Sequence, residues 1–355
     1  MTKRNPGTNS NDAPAQVQHL LAKAVGEGMT DLYVLPGIEA THVRGRLASG
    51  ATVDIRTLEP AAAIQCTARI KVLAGMLTYR TSMPQDGVIR NVEECDTAEF
   101  RVASLPTETG ERLTLRILHA AAGPRHLEDL GFTPAAEAAM RGLLTHASGL
   151  LVLTGPTGSG KTTTIYAMIR ELLRQGHSPA TLISIEDPVE SLVPGISQVQ
   201  LQRENPEWSY AQALKAALRH DVKTLVIGEL RDREVTKVAL DAALTGHRVI
   251  TTYHAGDVAG VYARLLHQGF EPFLIAAAIQ GVVAQRLVAA VDRPLPVPVA
   301  AVLAADDAWR EFIMTSPGFC ELRQRLTKVP EADLEAQARL LVAAGQIHEK
   351  EAYLI

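Results

Sequence analysis

The chain has 355 residues, of which 35 are Lys or Arg and 39 are Asp or Glu, a formal net charge of −4 at pH 7. That length suits two ordinary domains rather than one, and the acidic balance supplies no global basic surface, which argues against nucleic acid as a partner except through a local patch. No run of ~18 apolar residues occurs, so membrane association has to come through a partner, and Cys66, Cys95 and Cys320 form no C-x-x-C pair, which reads as scattered thiols in a reducing compartment.

The opening stretch MTKRNPGTNSNDAPAQ has no apolar core and reads as a short disordered tail over 1–15, not as a secretory signal. Residues 16–130 read as a small α/β unit. A helix from about Val17 (VQHLLAKAVGEG) leads into DLYVLPG and THVRGRLASGATVDIR, strand-like runs broken at glycine turns. A second helix, AAAIQCTARIKVLAGM, precedes FRVASL and RLTLRIL, a hairpin with its turn at Thr107 to Gly110. In its second strand, period two puts Arg112, Thr114 and Arg116 on one face and Leu113, Leu115 and Ile117 on the other. Such an arginine face is either solvated surface or a surface that meets an anion.

The turn-rich GPRHLEDLGFTP places a domain boundary near Gly131. Beyond it, LLVLT runs into GPTGSGKTTT, which fits G-x-x-x-x-G-K-[ST]. Gly155, Pro156, Thr157, Gly158, Ser159 and Gly160 are expected to wrap an anion with their backbone, Lys161 to reach the β/γ-phosphates, and Thr162, followed by Thr163, to present its hydroxyl to Mg²⁺. The flanks supply the required strand and helix: Ile165, Met168, Ile169, Leu172 and Leu173 recur at helical spacing until Gly176. The helix N-terminus then points its partial positive charge at the phosphates.

Strands and helices alternate downstream: TLISIED, SYAQALKAALRH, TLVIGEL, DREVTKVALDAALTG, RVITTYH, DVAGVYARLLHQG. The alternation predicts a mostly parallel sheet over 131–290, with ligands at the carboxyl ends of its strands. Those ends carry Glu186, Asp187, Glu229 and His254, enough carboxylates to approach a phosphate-bound Mg²⁺ and to handle an attacking water. Asp187 before Pro188 equally suits a turn. His254 suits a γ-phosphate sensor or a water-orienting group, whereas His247, just after Gly246, equally suits a helix cap. From about Val291 the pattern loosens into the proline-rich PLPVPVAAV and then helices, a mainly helical C-terminal region over 291–355.

Four stretches together, GPTGSGKTTT, ISIEDPVE, LVIGELRD and ALTGHRVITTYHAGD, resemble the Walker A, Asp, atypical Walker B and His boxes of the secretion ATPase superfamily, the motors of type II secretion, type IV pili and competence pseudopili. The likeness extends from about Asp31 to Val288, and LPTETGER and IEDPVE resemble the extension and secretion branch more than the retraction branch. The resemblance implies a PAS-like first domain, a RecA-like second domain and a homo-hexameric, Mg²⁺-dependent ATP hydrolase. It implies a cytoplasmic place at the inner membrane through a platform protein. It further implies Lys161 and Thr162 on phosphates and Mg²⁺, Glu186 as the water-activating base, Glu229 near Mg²⁺, and His247 and His254 as the His-box pair. Arg101, Arg112 and Arg116 fall where the family's first domain presents arginines to nucleotide. The tetracysteine insert and extra N-terminal domain of many members are missing from the pattern, Asp221, Val222 and Lys223 stand where D-P-D is usual, and Ala255 and Gly256 follow His254 in place of Thr-Asn. A retraction or type IV secretion motor, a DNA-translocating ring and a nucleotide-binding regulator stay open as alternatives.

Overall fold

The computed structural model describes residues 12–47, 51–90, 98–119, 125–201, 208–291 and 296–353. The chain divides into two compact units, Met1–Gly123 and Pro124–Ile355. Most of the expected tail, and Cys95, lie outside the described residues. Helix α1 (Ala13–Gly26) starts before Val17, with Pro14 in its first turn, where a missing N–H costs nothing.

In the first unit α1 is followed by β1 (Met29–Pro36), β2 (Thr41–Leu47), β3 (Thr52–Leu58), α2 (Pro60–Leu73), β4 (Gln85–Ile89), β5 (Ala98–Thr107) and β6 (Gly110–His119). Among the described residues the strands form one antiparallel sheet in the order β3-β2-β1-β6-β5-β4. Val17, Leu20 and Leu21 of α1, Cys66 and Ile70 of α2, and the inward positions Leu32, Val34, Phe100, Val102, Leu113 and Leu115 share one core. The predicted hairpin turn is present: Thr107 pairs with Gly110, whose φ of 135° requires glycine.

In the second unit α3 (Pro134–Leu143) precedes β7 (Gly149–Thr154), α4 (Lys161–Arg174), β8 (Leu182–Glu186), β9 (Ser197–Gln200), α5 (Tyr210–Ala217), β10 (Thr224–Ile227), α6 (Arg233–Leu244) and β11 (Arg248–Tyr253). Then come α7 (Val258–His267), α8 (Pro272–Ala278), β12 (Ile279–Val288), β13 (Val297–Ala304), α9 (Asp307–Met314), α10 (Phe319–Leu326), α11 (Leu334–Ala343) and α12 (Glu349–Ala352). The strand order is β13-β12-β7-β11-β10-β8-β9, parallel except for the β12–β13 pair. Alternate residues of β7 enter two separate cores, Leu150 and Val152 on one face and Leu151 and Leu153 on the other. A strand buried on both faces has to be apolar throughout, which is what LLVLT displays.

Two boundaries differ from expectation in detail. Leu127 and Phe132 are buried with Met140 and Ile169 in the second unit's core, so the chain joins that unit ahead of Gly131. The proline-rich stretch is not simply a connector: Val297–Ala304 completes the sheet as its edge strand. Pro298 is tolerated there because an edge strand leaves half of its N–H groups unpaired.

Candidate active site

The phosphate loop occupies the turn from β7 into α4. Gly155, Gly158 and Gly160 have φ values of 147°, 80° and 85°. At Gly155 a Cβ would come within 2.3 Å of the Gln285 carbonyl oxygen, so both conformation and space demand glycine. The Lys161 ammonium donates to the carbonyls of Gly155 and Pro156, each at 2.8 Å. Burial pushes Lys161 below its ordinary pKa; the charge of Glu229 pulls it back up, and Arg286 adds to the lowering. Thr162 is half-buried and Thr163 exposed, both in the first turn of α4. Pro156, Thr157 and Gly158 are exposed at the tip, and Ser159 is buried at the base.

The parallel sheet brings the ends of β10 and β11 beside this loop. His254 Nε2 lies 2.9 Å from Glu229 Oε1, and Arg231 Nε lies 3.4 Å from the other carboxylate oxygen. Arg231 also donates to Asp187 at 2.7 Å, joining the end of β8 to that of β10. The Thr154 hydroxyl, at the end of β7, lies 2.9 and 2.8 Å from the carbonyls of Tyr253 and Ala255 and accepts from the Ala255 N–H at 3.0 Å. One threonine thereby pins the turn that carries His254 to the start of the phosphate loop. The Arg264 guanidinium donates to the His254 carbonyl.

Glu186 is placed differently from Glu229. Its residue is only 4% exposed, against 25% for the Glu229 side chain. It accepts from Tyr166 at 2.5 Å, Ser184 at 2.7 Å and Gln198 at 3.1 Å. The Tyr166 oxygen in turn accepts from the N–H groups of Glu190 and Ser191, at 3.2 and 3.3 Å. Burial, reinforced by the Glu186 charge, drives the Tyr166 hydroxyl far above the ordinary phenol range, so it remains a donor. A carboxylate with three neutral donors is satisfied where it stands.

His247 does not join the loop. Its Nδ1 lies 3.1 Å from the Ala242 carbonyl, at the C-terminus of α6, while β11 starts at the next residue. The six-residue strand puts it roughly 20 Å from His254 at a rise of ~3.3 Å per residue. The capping geometry is therefore what the second unit shows, and within that unit the two histidines are not a pair. Arg101, Arg112 and Arg116 belong to the first unit. Arg101 and Arg116 face each other across β5 and β6, Arg112 is exposed opposite Leu105, and Arg116 Nε lies 3.1 Å from Asp31 Oδ1. Gln285, Arg286, Tyr166, Arg231 and Thr154 were not singled out beforehand. Gln285 alone carried a signal, a polar residue inside the apolar run GVVAQRLV.

A phosphate loop after the first in chain order of six parallel strands, flanked by β12 and β11 and followed outward by β10, β8 and β9, defines a phosphate-loop nucleotide-binding domain of RecA-like order. The family described as "Type II/IV secretion system protein" matches residues 9–350, and the chain belongs to that family. It is 39% identical over 272 residues to the type II secretion system protein HxcR of Pseudomonas aeruginosa, covering 77% of this chain and 57% of that one. It is 36% identical over 274 residues to the type IV pilus assembly ATPase PilB of Thermus thermophilus, covering 77% and 30%. The chain thus spans about half the length, or less, of these curated relatives. Among solved structures, the Legionella pneumophila ATPase DotB superposes with a TM-score of 0.80 at 23% identity, covering 98% of this chain and 97% of that one. The pilus retraction motor PilT with bound ADP gives 0.76 at 23%, covering 95% of each. These two likenesses are likenesses of fold.

Proposed function

We propose that this chain binds ATP with Mg²⁺ and hydrolyses it as one subunit of a ring, a homo-hexamer, that powers assembly of a pilus-like filament or type II secretion. The observation that carries the proposal is the phosphate loop with Lys161 at one strand end and the Glu229–His254 pair at the two neighbouring ends. Curated relatives at 34–39% identity carry type II secretion or pilus assembly names, which favours those outputs over retraction or type IV secretion. The partner would be an inner-membrane platform protein reached from the cytoplasm. Among the described residues no helix is long and apolar enough to cross a membrane.

ATP would lay its phosphates over the loop amides and the α4 N-terminus. A cleft of about 150 Å³ beside Gly160 and Thr163, walled by Leu130, Phe132, Leu287 and Pro296, suits the flat apolar face of a purine. Thr162 and Glu229 offer the hard oxygen donors that Mg²⁺ prefers, and the bound metal would offset phosphate charge. Water activation falls to Glu229, oriented by His254, and not to Glu186, whose oxygens are already occupied and sealed from solvent. Glu186 then serves to hold the turn beyond β8 against α4 through Tyr166. Arg101, Arg112 and Arg116 present guanidinium groups suited to phosphate, and we assign them to nucleotide contact in the assembled ring.

Replacing Lys161 tests the whole proposal, because its ammonium supplies charge that amides cannot match. Lys161→Ala is expected to abolish ATP turnover and weaken binding of a fluorescent ATP analogue. Near wild-type turnover in that variant would remove the nucleotide site from the function.

A further inference from the structure

Arg286, on β12 beside the start of the phosphate loop, lies outside the four boxes. β12 runs parallel to β7 with Ala284 opposite Thr154, so Gln285 and Arg286 emerge at the level where β7 ends and the loop begins. Gln285 fixes that register. Its Nε2 donates to the Ser159 carbonyl at 2.7 Å and its Oε1 accepts from Thr164 at 2.9 Å, which ties the strand to the loop and to the first turn of α4. The Arg286 guanidinium passes so close to Gly155 that a Cβ there would sit 3.3 Å from Nη1.

The acceptors of Arg286 are carbonyls: Gly256 at 2.5 Å and its neighbour Gln285 at 3.2 Å. Asp257, which attracts it electrostatically, is committed elsewhere, to Arg323 at 2.7 Å and to the Gly260 N–H at 2.7 Å. Among the described residues no carboxylate forms an ion pair with Arg286. It lines a cavity of about 580 Å³ together with Gly155, Pro156, His254 and Arg264. Lys161 lies near enough to feel its charge. Two half-buried cations at one loop repel each other, and an anion placed between them recovers that cost.

We propose that Arg286 is a catalytic residue: from within the same chain it supplies the guanidinium that stabilises charge on the phosphoryl group during transfer. This rests on the ATP hydrolysis proposed above. The water oxygen bonds to the γ-phosphorus as the bond to the β–γ bridging oxygen breaks. The electron pair leaves with ADP, the water proton passes to the Glu229 carboxylate, and Arg286 exchanges no proton. Its fork matches the charge spreading over the equatorial oxygens, which a ground-state contact would not need.

The test uses the full chain with Arg286→Ala and Arg286→Lys, and Lys161→Ala alongside. Loss of transition-state stabilisation should lower kcat by about 10²–10³-fold. The affinity for a fluorescent ADP analogue should stay within about threefold, and stable trapping of that ADP with aluminium fluoride should be lost. Arg286→Lys should recover under a tenth of kcat, because an ammonium cannot fork. It also carries the test if the alanine variant fails to fold. A kcat within about threefold of wild type, or an ADP affinity that falls in parallel with kcat, overturns the assignment. If wild type turns over ATP no faster than Lys161→Ala, hydrolysis itself is the reading that fails. If only Lys161→Ala is impaired, hydrolysis stands and the role of Arg286 falls.

Discussion

Gln285 should be worth more to the second unit than its place in an apolar strand suggests. Its residue is 2% exposed, and truncation to Ala removes a donor to Ser159 and an acceptor for Thr164. Each bond contributes about 1 kcal/mol net, and the Ser159 carbonyl left without a donor costs a further 1–3 kcal/mol or so. Thr164 keeps the Gly160 carbonyl at 3.2 Å, so only one orphan is created. The one lost methylene adds roughly 0.8 kcal/mol, and about 1.5–2 kcal/mol of rotamer entropy is recovered. The net expectation is a loss of about 3 kcal/mol, a fall of about 1 M in urea midpoint for a unit of ordinary cooperativity. Trp208 and Trp309, the two tryptophans of the chain, both lie in this unit, so their fluorescence follows its unfolding directly. Gln285→Glu is the sharper variant. It keeps the acceptor for Thr164 but turns a second acceptor toward the Ser159 carbonyl, and should be at least as damaging as Ala. Both should also weaken ADP binding, since the Ser159 carbonyl sets the direction of the loop's amides. A Glu variant that unfolds at the wild-type midpoint would refute the reasoning.

Three further outcomes follow from the same structure. Glu229→Gln should lower kcat by at least tenfold more than Glu186→Gln and disturb the Mg²⁺ dependence, with ATP affinity retained in Glu186→Gln; the reverse order in single-turnover rates would return water activation to Glu186. Burial raises the Cys66 thiol above its ordinary 9.0, despite the opposing charge of Arg56. Below about pH 9 that thiol is protonated both folded and unfolded; above it the unfolded chain ionises first, so stability of the first unit should fall as pH rises, and fall less steeply in Cys66→Ala. Native-state alkylation at pH 8, read by mass spectrometry, should label the exposed Cys320 well before the buried Cys66. Equal rates would place Cys66 outside the core.

Much of this molecule is legible in one dimension because its strongest signals are local. The phosphate loop needs closely spaced glycines with positive φ, then a lysine and a hydroxyl opening a helix, and all of these are near neighbours in the chain. The apolar run of β7 and the alternation of β6 state how many faces of each strand are covered, because period two is a backbone property. What no local pattern decides is which residues meet across strands. Only the order of the sheet sets Glu229 against His254, and only the β12–β7 register sets Gln285 and Arg286 against a loop some 130 positions earlier in the chain. Fine orientation is likewise tertiary: Glu186 and Glu229 both stand at the ends of apolar strands, yet one is sealed beneath Tyr166 and the other, partly exposed, meets His254 and Arg231. His247 and His254 share one short segment, yet a strand between them carries them to opposite ends of the sheet, since an extended backbone advances ~3.3 Å with every residue. Sequence determined which groups could do the chemistry; the parallel sheet decided which of them stand together.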